Sequence, residues 1–80
     1  MVLAYVLIAL KGSSNASRVA KDLLAFDEIK TLHLLYGEWD IIAEVAAENM
    51  IALREFTLEK LLKMPNIGRT NTLIVADSED

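Results

Sequence analysis

The sequence has no cysteine, one proline, three glycines and a single histidine among its 80 residues. Without cysteine there are no disulfide bonds and no thiolate metal ligands, and one histidine cannot supply the three or four ligands of a zinc site. The net charge is −4 and the eight basic residues are scattered, which argues against binding to nucleic-acid phosphates. We therefore expect no metal, no cofactor and no direct contact with nucleic acid.

Long apolar runs are also missing. None reaches the roughly 20 residues that a membrane-spanning helix needs, and the N-terminus has neither a basic start nor a small-residue cleavage site. We therefore expect a cytoplasmic protein without membrane attachment. Hydrophobic residues nevertheless make up 54% of the chain, which is more than one small core can cover. Such an excess is typical of an obligate oligomer.

The apolar residues that are present follow six periodic segments. Four segments with strand-like composition lie at residues 2–11, 29–36, 40–47 and 68–76. The first helical pattern follows three N-cap candidates, Ser13, Ser14 and Asn15, and the second runs from Asn49 to about Met64. At α-helical spacing the second helix has one broad apolar face, which consists of Met50, Leu53, Phe56, Leu58, Leu61 and Met64. Residues 77–80 form an acidic tail.

The order β-α-β-β-α-β predicts one α+β domain over residues 1–80 with a ferredoxin-like fold. Right-handed crossovers place both helices on one face of a four-stranded antiparallel sheet and leave the other face bare. The first strand is apolar on both faces, since Leu3, Tyr5 and Leu7 alternate with Ala4 and Val6. We expect the bare face to pack on the sheet of a second copy, which gives a homodimer.

A loop with an unusual composition joins the second and third strands. Gly37 permits a positive φ and a close approach to the backbone, so that the N–H groups of residues 37–40 could face an anion. Asp40 could accept from an ammonium group. This combination suits the zwitterionic head group of an α-amino acid. The simpler alternative is a hairpin that needs glycine for its turn and aspartate to start its strand.

Three polar residues open the last strand. Thr70, Asn71 and Thr72 bring two hydroxyl groups and an amide next to Arg69, and they could reach the loop of another subunit. Threonine is also simply favoured in strands, so these residues are either ligand donors or ordinary strand residues.

Catalytic signals are weak. By strand alternation His33 shares a face with Ile29, Thr31 and Leu35. It is either a general base or a structural or interface histidine, and Glu44 either meets solvent or pairs across a subunit interface. The chain has no Ser/His/Asp order and no Gly-rich phosphate loop. We therefore expect no catalytic residues and no enzyme.

Gly37-x-x-Asp40, the helix end LLKMPNIG and the strand TNTLIV, in this order and spacing, resemble the RAM domain of Lrp/AsnC feast/famine regulators. The chain begins directly at the first strand of that domain, without a helix-turn-helix domain, and so resembles stand-alone RAM proteins. The resemblance implies sheet-packed dimers, further assembly into rings of eight, and amino-acid effectors bound where dimers meet. It also implies that Gly37 and Asp40 form the effector loop and that Thr70 and Thr72 are its polar partners.

The remaining loop residues, Glu38 and Trp39, match positions that vary within the family, and Asn71 lies between the two matched threonines. We include all three in the expected ligand site. Trp39 is a ligand wall, an interface anchor or simple packing.

Three functions follow as hypotheses. The first is a regulatory amino-acid-binding module that acts through ligand-dependent assembly. The second is a small dimeric enzyme of the monooxygenase or isomerase type, with a pocket between sheet and helices lined by His33, Tyr5, Tyr36 and Trp39. The third is an interaction partner that mixes with full-length Lrp/AsnC regulators through the shared sheet face.

Overall fold

A computed structural model describes residues 1–77 of the chain. The elements, in chain order, are β1 (Val2–Leu10), α1 (Ala16–Leu24), β2 (Ile29–Leu34), β3 (Ile41–Ala47), α2 (Met50–Glu55), a π-helical segment that continues α2 (Phe56–Leu61), and β4 (Ile67–Ile74). The predicted order of elements is confirmed. The predicted acidic tail lies outside the described residues, apart from Asp77.

The four strands form one sheet in the order β2-β3-β1-β4, and every neighbouring pair is antiparallel. The first and third strands therefore occupy the centre, as the ferredoxin-like arrangement requires. This confirms the predicted fold class.

The core lies between one face of this sheet and both helices. Alternate residues of β1 point into it, and Ala4, Val6 and Ile8 are fully buried. The helices contribute fully or almost fully buried apolar side chains, namely Val19, Leu23, Leu53, Phe56 and Leu61. Phe26 packs edge-on against Phe56, with ring centres 5.6 Å apart.

The opposite face of the sheet, which we call the open face, remains apolar. Leu3 and Leu7 of β1 are half-buried there, and Tyr5 is 38% exposed. Leu73 of β4 pairs with Tyr5 and is 50% exposed. No helix among residues 1–77 covers this face, because both helices pack on the other side.

Asparagine side chains start both helices. The Asn15 side chain accepts from the Arg18 N–H at 3.1 Å, and the Asn49 side chain accepts from the Ala52 N–H at 2.8 Å. Each bond satisfies a backbone donor that has no partner within its helix. Of the three N-cap candidates for α1, the structure uses Asn15. No helix in residues 1–77 is long and apolar enough to cross a membrane.

The π-helical segment changes which residues face the core. In an α-helix of 3.6 residues per turn, Leu61 would lie about 140° around the axis from Phe56, five positions earlier. The wider π-helical turn, with its i to i+5 bonds, brings both residues to the buried side. Regular α-helical spacing predicts that Met50 and Leu58 belong to the buried face. Both side chains are exposed, so this prediction was wrong.

A bulge shifts the alternation of β2. Ile29 pairs with Val45 and Thr31 with Glu44, so that one residue is skipped between them. Ile29 is therefore buried under the helices, whereas Thr31 and His33 lie on the open face. Strict alternation had predicted that His33 shares a face with Ile29, which is wrong.

Candidate functional site

The loop between β2 and β3 is closed by backbone hydrogen bonds at its base. The Leu35 N–H donates to the Asp40 carbonyl at 2.8 Å, and the Asp40 N–H donates to the Ile8 carbonyl at 2.9 Å. Gly37 has a φ of 120°, a conformation that side chains rarely allow. The Asp40 amide is thus already used, and only residues 37–39 of the predicted anion-facing amides remain for a ligand.

The Asp40 side chain is part of the same connection. Its Oδ2 accepts a hydrogen bond from the backbone N–H of Leu10 at 2.8 Å, and the bond is partly buried. Leu10 is the last residue of β1, so the carboxylate satisfies a backbone donor at the end of the sheet. Asp40 therefore has a structural role, and this hydrogen bond uses one of its two carboxylate oxygens.

Trp39 contacts the beginning of β4. The guanidinium carbon of Arg69 lies 4.5 Å from the centre of the Trp39 ring, within the range of a cation–π interaction. The structure therefore shows an intramolecular contact for Trp39, and its roles as a ligand wall or interface anchor stay predictions. The sequence did not predict the Arg69 partner, because the two residues are 30 positions apart and join only through the sheet register.

The polar residues of β4 do not converge as a group. Thr70 pairs with Ile8 and Thr72 with Val6, which places both on the helix side of the sheet. Asn71 pairs with Leu7 and lies on the open face. Ile8 also pairs with Ile41, directly after the loop, so that Thr70 and the loop flank the same end of β1. Two strand spacings, roughly 10 Å, separate Ile41 from Thr70.

A groove of 280 Å³ adjoins Asp40 on the helix side. Ala16, Leu34, Leu35 and Tyr36 line the groove together with Asp40. Ala16, Leu34 and Leu35 were not among the predicted site residues. The available signal in the sequence was the run Leu34-Leu35-Tyr36, three large apolar residues at the end of the edge strand β2.

Two of the four residues proposed for an enzyme pocket, Tyr5 and His33, do not lie between the sheet and the helices. Tyr5 and His33 lie on the open face, on the side of the sheet away from both helices. His33 is exposed and pairs with Ile42. The expectation that Tyr5 and His33 line a pocket between sheet and helices is wrong, whereas Tyr36 does line the groove beside Asp40.

Glu44 has a partner within its own chain. Its Oε1 accepts a hydrogen bond from the Thr31 hydroxyl at 3.1 Å, between neighbouring strands. Among residues 1–77, no group of three or more His, Cys, Asp or Glu side chains is placed to hold a metal ion.

A second groove, of 380 Å³, lies at the other end of the sheet, where Met1 meets Ala47 and Ala52. Glu28 borders it, and its Oε2 accepts from the Lys60 ammonium at 2.8 Å. This hydrogen bond lowers the pKa of Glu28 below its ordinary value of 4.5. The pair ties the α1–β2 loop to the π-helical segment.

Comparison with known proteins places this geometry in a family. A family model described as the Lrp/AsnC ligand binding domain matches residues 3–79. The chain belongs to the Lrp/AsnC ligand-binding domain family. The predicted resemblance is therefore confirmed.

Relatives and solved structures agree with this assignment. An uncharacterized HTH-type transcriptional regulator of Pyrococcus furiosus, PF0250, is 30% identical over 73 residues, which cover 89% of this chain and 49% of the relative. The chain thus spans about half the length of the curated relatives it matches.

Among solved structures, FFRP-DM1 has a TM-score of 0.89 and 36% identity, with 94% of this chain and 99% of that chain covered. The Neisseria meningitidis regulator NMB0573, solved as a complex with L-Met, has a TM-score of 0.90 at 19% identity. Its match covers 99% of this Lrp/AsnC domain and 52% of the regulator, and it shows a shared fold.

Proposed function

We propose that this Lrp/AsnC domain binds an α-amino acid at the loop of residues 35–40, and that binding changes the assembly of a regulatory complex. The observation that carries the proposal is the fixed position of the Asp40 carboxylate. Because Leu10 N–H holds Oδ2, the carboxylate points in a defined direction, and its other oxygen can accept from an α-ammonium group.

The loop supplies a complementary partner for the α-carboxylate. The amides of Gly37, Glu38 and Trp39 lie in the turn where Gly37 has a positive φ, and the space next to the Gly37 backbone is open. Thr70 lies at the same end of the sheet and Thr72 two residue pairs further along. Asn71 points to the open face, so it reaches a ligand only from a second copy. The complex of a regulator of the same fold with L-Met supports this class of ligand.

The binding unit in this proposal is a homodimer that packs through its open faces. Tyr5 and Leu73 provide exposed apolar surface there, and no element of the described chain covers it. Dimers then assemble further, up to eight copies, with the effector shared between subunits. Full-length Lrp/AsnC regulators can pair with the same face. The ligand acts by favouring the assembly that binds it more tightly.

The proposed role is binding without chemistry. His33 is the only imidazole of the chain, and it lies on the open face, away from the Asp40 groove. A general base must lie within hydrogen-bond reach of the proton that it removes. His33 and the groove beside Asp40 lie on opposite faces of the sheet, so His33 does not reach a ligand bound in that groove.

Thermal unfolding in the presence of each of the twenty amino acids tests the proposal. A ligand at 100 times its dissociation constant stabilises the folded state by about 2.7 kcal/mol, which raises the melting temperature measurably. Asp40→Asn keeps an oxygen acceptor for Leu10 but removes the charge, and should abolish the shift. Asp22→Asn makes the same change at an exposed position on α1 and should leave the shift intact. No shift with any amino acid, or equal shifts in both variants, would refute the proposal.

A further inference from the structure

Two titratable side chains, Glu44 and His33, lie on the open face, and the proposed function assigns a role to neither of them. Glu44, on the central strand β3, pairs with Tyr5 of β1 and with Thr31 of β2. Glu44 is already half-buried before any partner covers this face. A carboxylate at such a position becomes costly when a second apolar surface packs on it.

Glu44 and His33 are diagonal neighbours on the open face. His33 pairs with Ile42, which lies two residues before Glu44 on the same strand and the same face. Residues in such diagonal positions are about 7–8 Å apart, within reach of long or aromatic side chains. Among residues 1–77 the Glu44 carboxylate accepts from the Thr31 hydroxyl at 3.1 Å and forms no ion pair.

The other charged or titratable groups of the open-face strands do not compensate Glu44. Arg69 lies at the loop end of the sheet, where its guanidinium covers a tryptophan ring at 4.5 Å. The ammonium of Lys30, at the bulge of β2, donates to a backbone carbonyl of the α1–β2 loop at 2.9 Å. Tyr5 carries a phenol, which is uncharged at neutral pH. A second copy brings the same groups, so His33 is the remaining source of positive charge.

Packing two open faces together removes the carboxylate and the imidazole from water. An unpaired carboxylate is costly to bury, whereas a carboxylate beside an imidazolium is compensated. Imidazole side chains as a class titrate at about pH 6.5, so the required proton is easily taken up in mild acid and less easily above neutral pH. If association takes up protons, its free energy becomes less favourable as the pH rises.

On the basis of the open-face homodimer proposed above, we propose that His33 and Glu44 make this interface proton-dependent. As the faces meet, His33 of each copy takes up a proton from solvent, and its imidazolium pairs with the Glu44 carboxylate. The open face therefore binds a second copy of the chain more tightly in mild acid than in mild base.

The dissociation constant of the dimer as a function of pH tests the inference. It is measured by sedimentation equilibrium or, for a dimer too tight to dissociate, by concentration-dependent urea unfolding. We expect it to rise at least about ten-fold between about pH 5.5 and about pH 8. Glu44→Gln removes the buried charge and should abolish this rise. Glu55→Gln makes the same change at an exposed position on α2 and should retain it, which separates the interface carboxylate from the net charge of the chain.

His33→Gln provides a second variant, because it keeps Glu44 but cannot take up the proton. The dimer of this variant should stay weak across the same pH range. A wild-type dissociation constant that does not change with pH, or a rise that both Glu44→Gln and His33→Gln retain, would overturn the inference and leave the open-face dimer intact. A wild-type domain that is monomeric at every pH would refute both.

Discussion

The carboxylate of Asp40 and the backbone N–H of Leu10 form a 2.8 Å hydrogen bond between the β2–β3 loop and the last residue of β1. Thirty positions separate the two residues, so the bond exists only when the sheet is formed. It gives Asp40 a structural task in addition to the proposed contact with an effector. Variants at this position therefore have to separate folding from binding.

Replacing Asp40 by alanine should destabilise the domain by about 1–2 kcal/mol, because the partly buried Leu10 N–H loses its partner. Asp40→Asn retains an oxygen acceptor and should cost clearly less. Urea unfolding measures both values. Equal destabilisation by the two variants would show that the charge, rather than the hydrogen bond, matters for stability.

Trp39 and Arg69 should be energetically coupled. Their ring-to-guanidinium distance of 4.5 Å predicts a coupling of about 0.5–1 kcal/mol in a double-mutant cycle with Trp39→Ala and Arg69→Ala. The measurement is the unfolding free energy of the four proteins. Additive effects of the two substitutions would mean that the contact contributes nothing to stability.

The π-helical segment, Phe56–Leu61, leads to two contrasting predictions for its leucines. Leu61→Ala should cost about 2–5 kcal/mol, because Leu61 is fully buried. Leu58→Ala should cost less than about 1 kcal/mol, since this side chain is 43% exposed. Similar losses in thermal or urea unfolding would indicate that the segment continues as an α-helix with a different buried side.

The Glu28–Lys60 pair should contribute stability that depends on pH. Because the folded-state pKa of Glu28 is lowered, the contribution is present above its ordinary value of 4.5 and is lost as the pH falls through the lower folded value. Lys60→Met should therefore destabilise the domain at neutral pH, by less than about 1 kcal/mol because Lys60 is half exposed.

The difference between wild type and Lys60→Met should disappear in acid. Lys63→Met provides the control, because its 3.4 Å pair with Glu59 is mostly exposed and should matter less. A difference for Lys60→Met that persists at a pH below the folded-state pKa of Glu28 would show that lost packing, rather than the ion pair, causes it.

Assembly through the open face should depend on Leu73. Leu73→Lys places a charge in the proposed interface and should shift the dimer towards monomer in sedimentation equilibrium. Leu24→Lys introduces the same residue at a similarly exposed position on the helix side and should leave the dimer intact. Equal behaviour of the two variants would contradict the proposed interface.

The fold was largely predictable because its signals are local. Alternation in β1, the asparagine caps and the spacing of α1 each depend on residues close in sequence, and they agree with one another. The errors occurred where tertiary contacts overrule local spacing. The π-helical turn before Leu61 and the bulge after Ile29 both change the periodicity from which faces are predicted.

The candidate site was predictable only in part. Gly37 and Asp40 can be identified as a loop pair, but the bond from Leu10 and the Arg69 contact depend on how the strands align in the sheet. The division of Thr70 and Asn71 between two faces also becomes visible only in the register of β4 on β1. Contacts between distant strands are the part that a single sequence does not show.

Amide chemical shifts during titration with an amino acid that raises the melting temperature test the central claim most directly, since they locate a ligand residue by residue. We expect the largest changes at Gly37, Glu38 and Trp39, together with Leu10, whose N–H donates to Asp40. Asp40→Asn should remove these changes at the same amino-acid concentration. Changes centred on Ala46, Ala47 and Ala52 at the other end of the sheet, or unaltered spectra with every amino acid, would contradict the account.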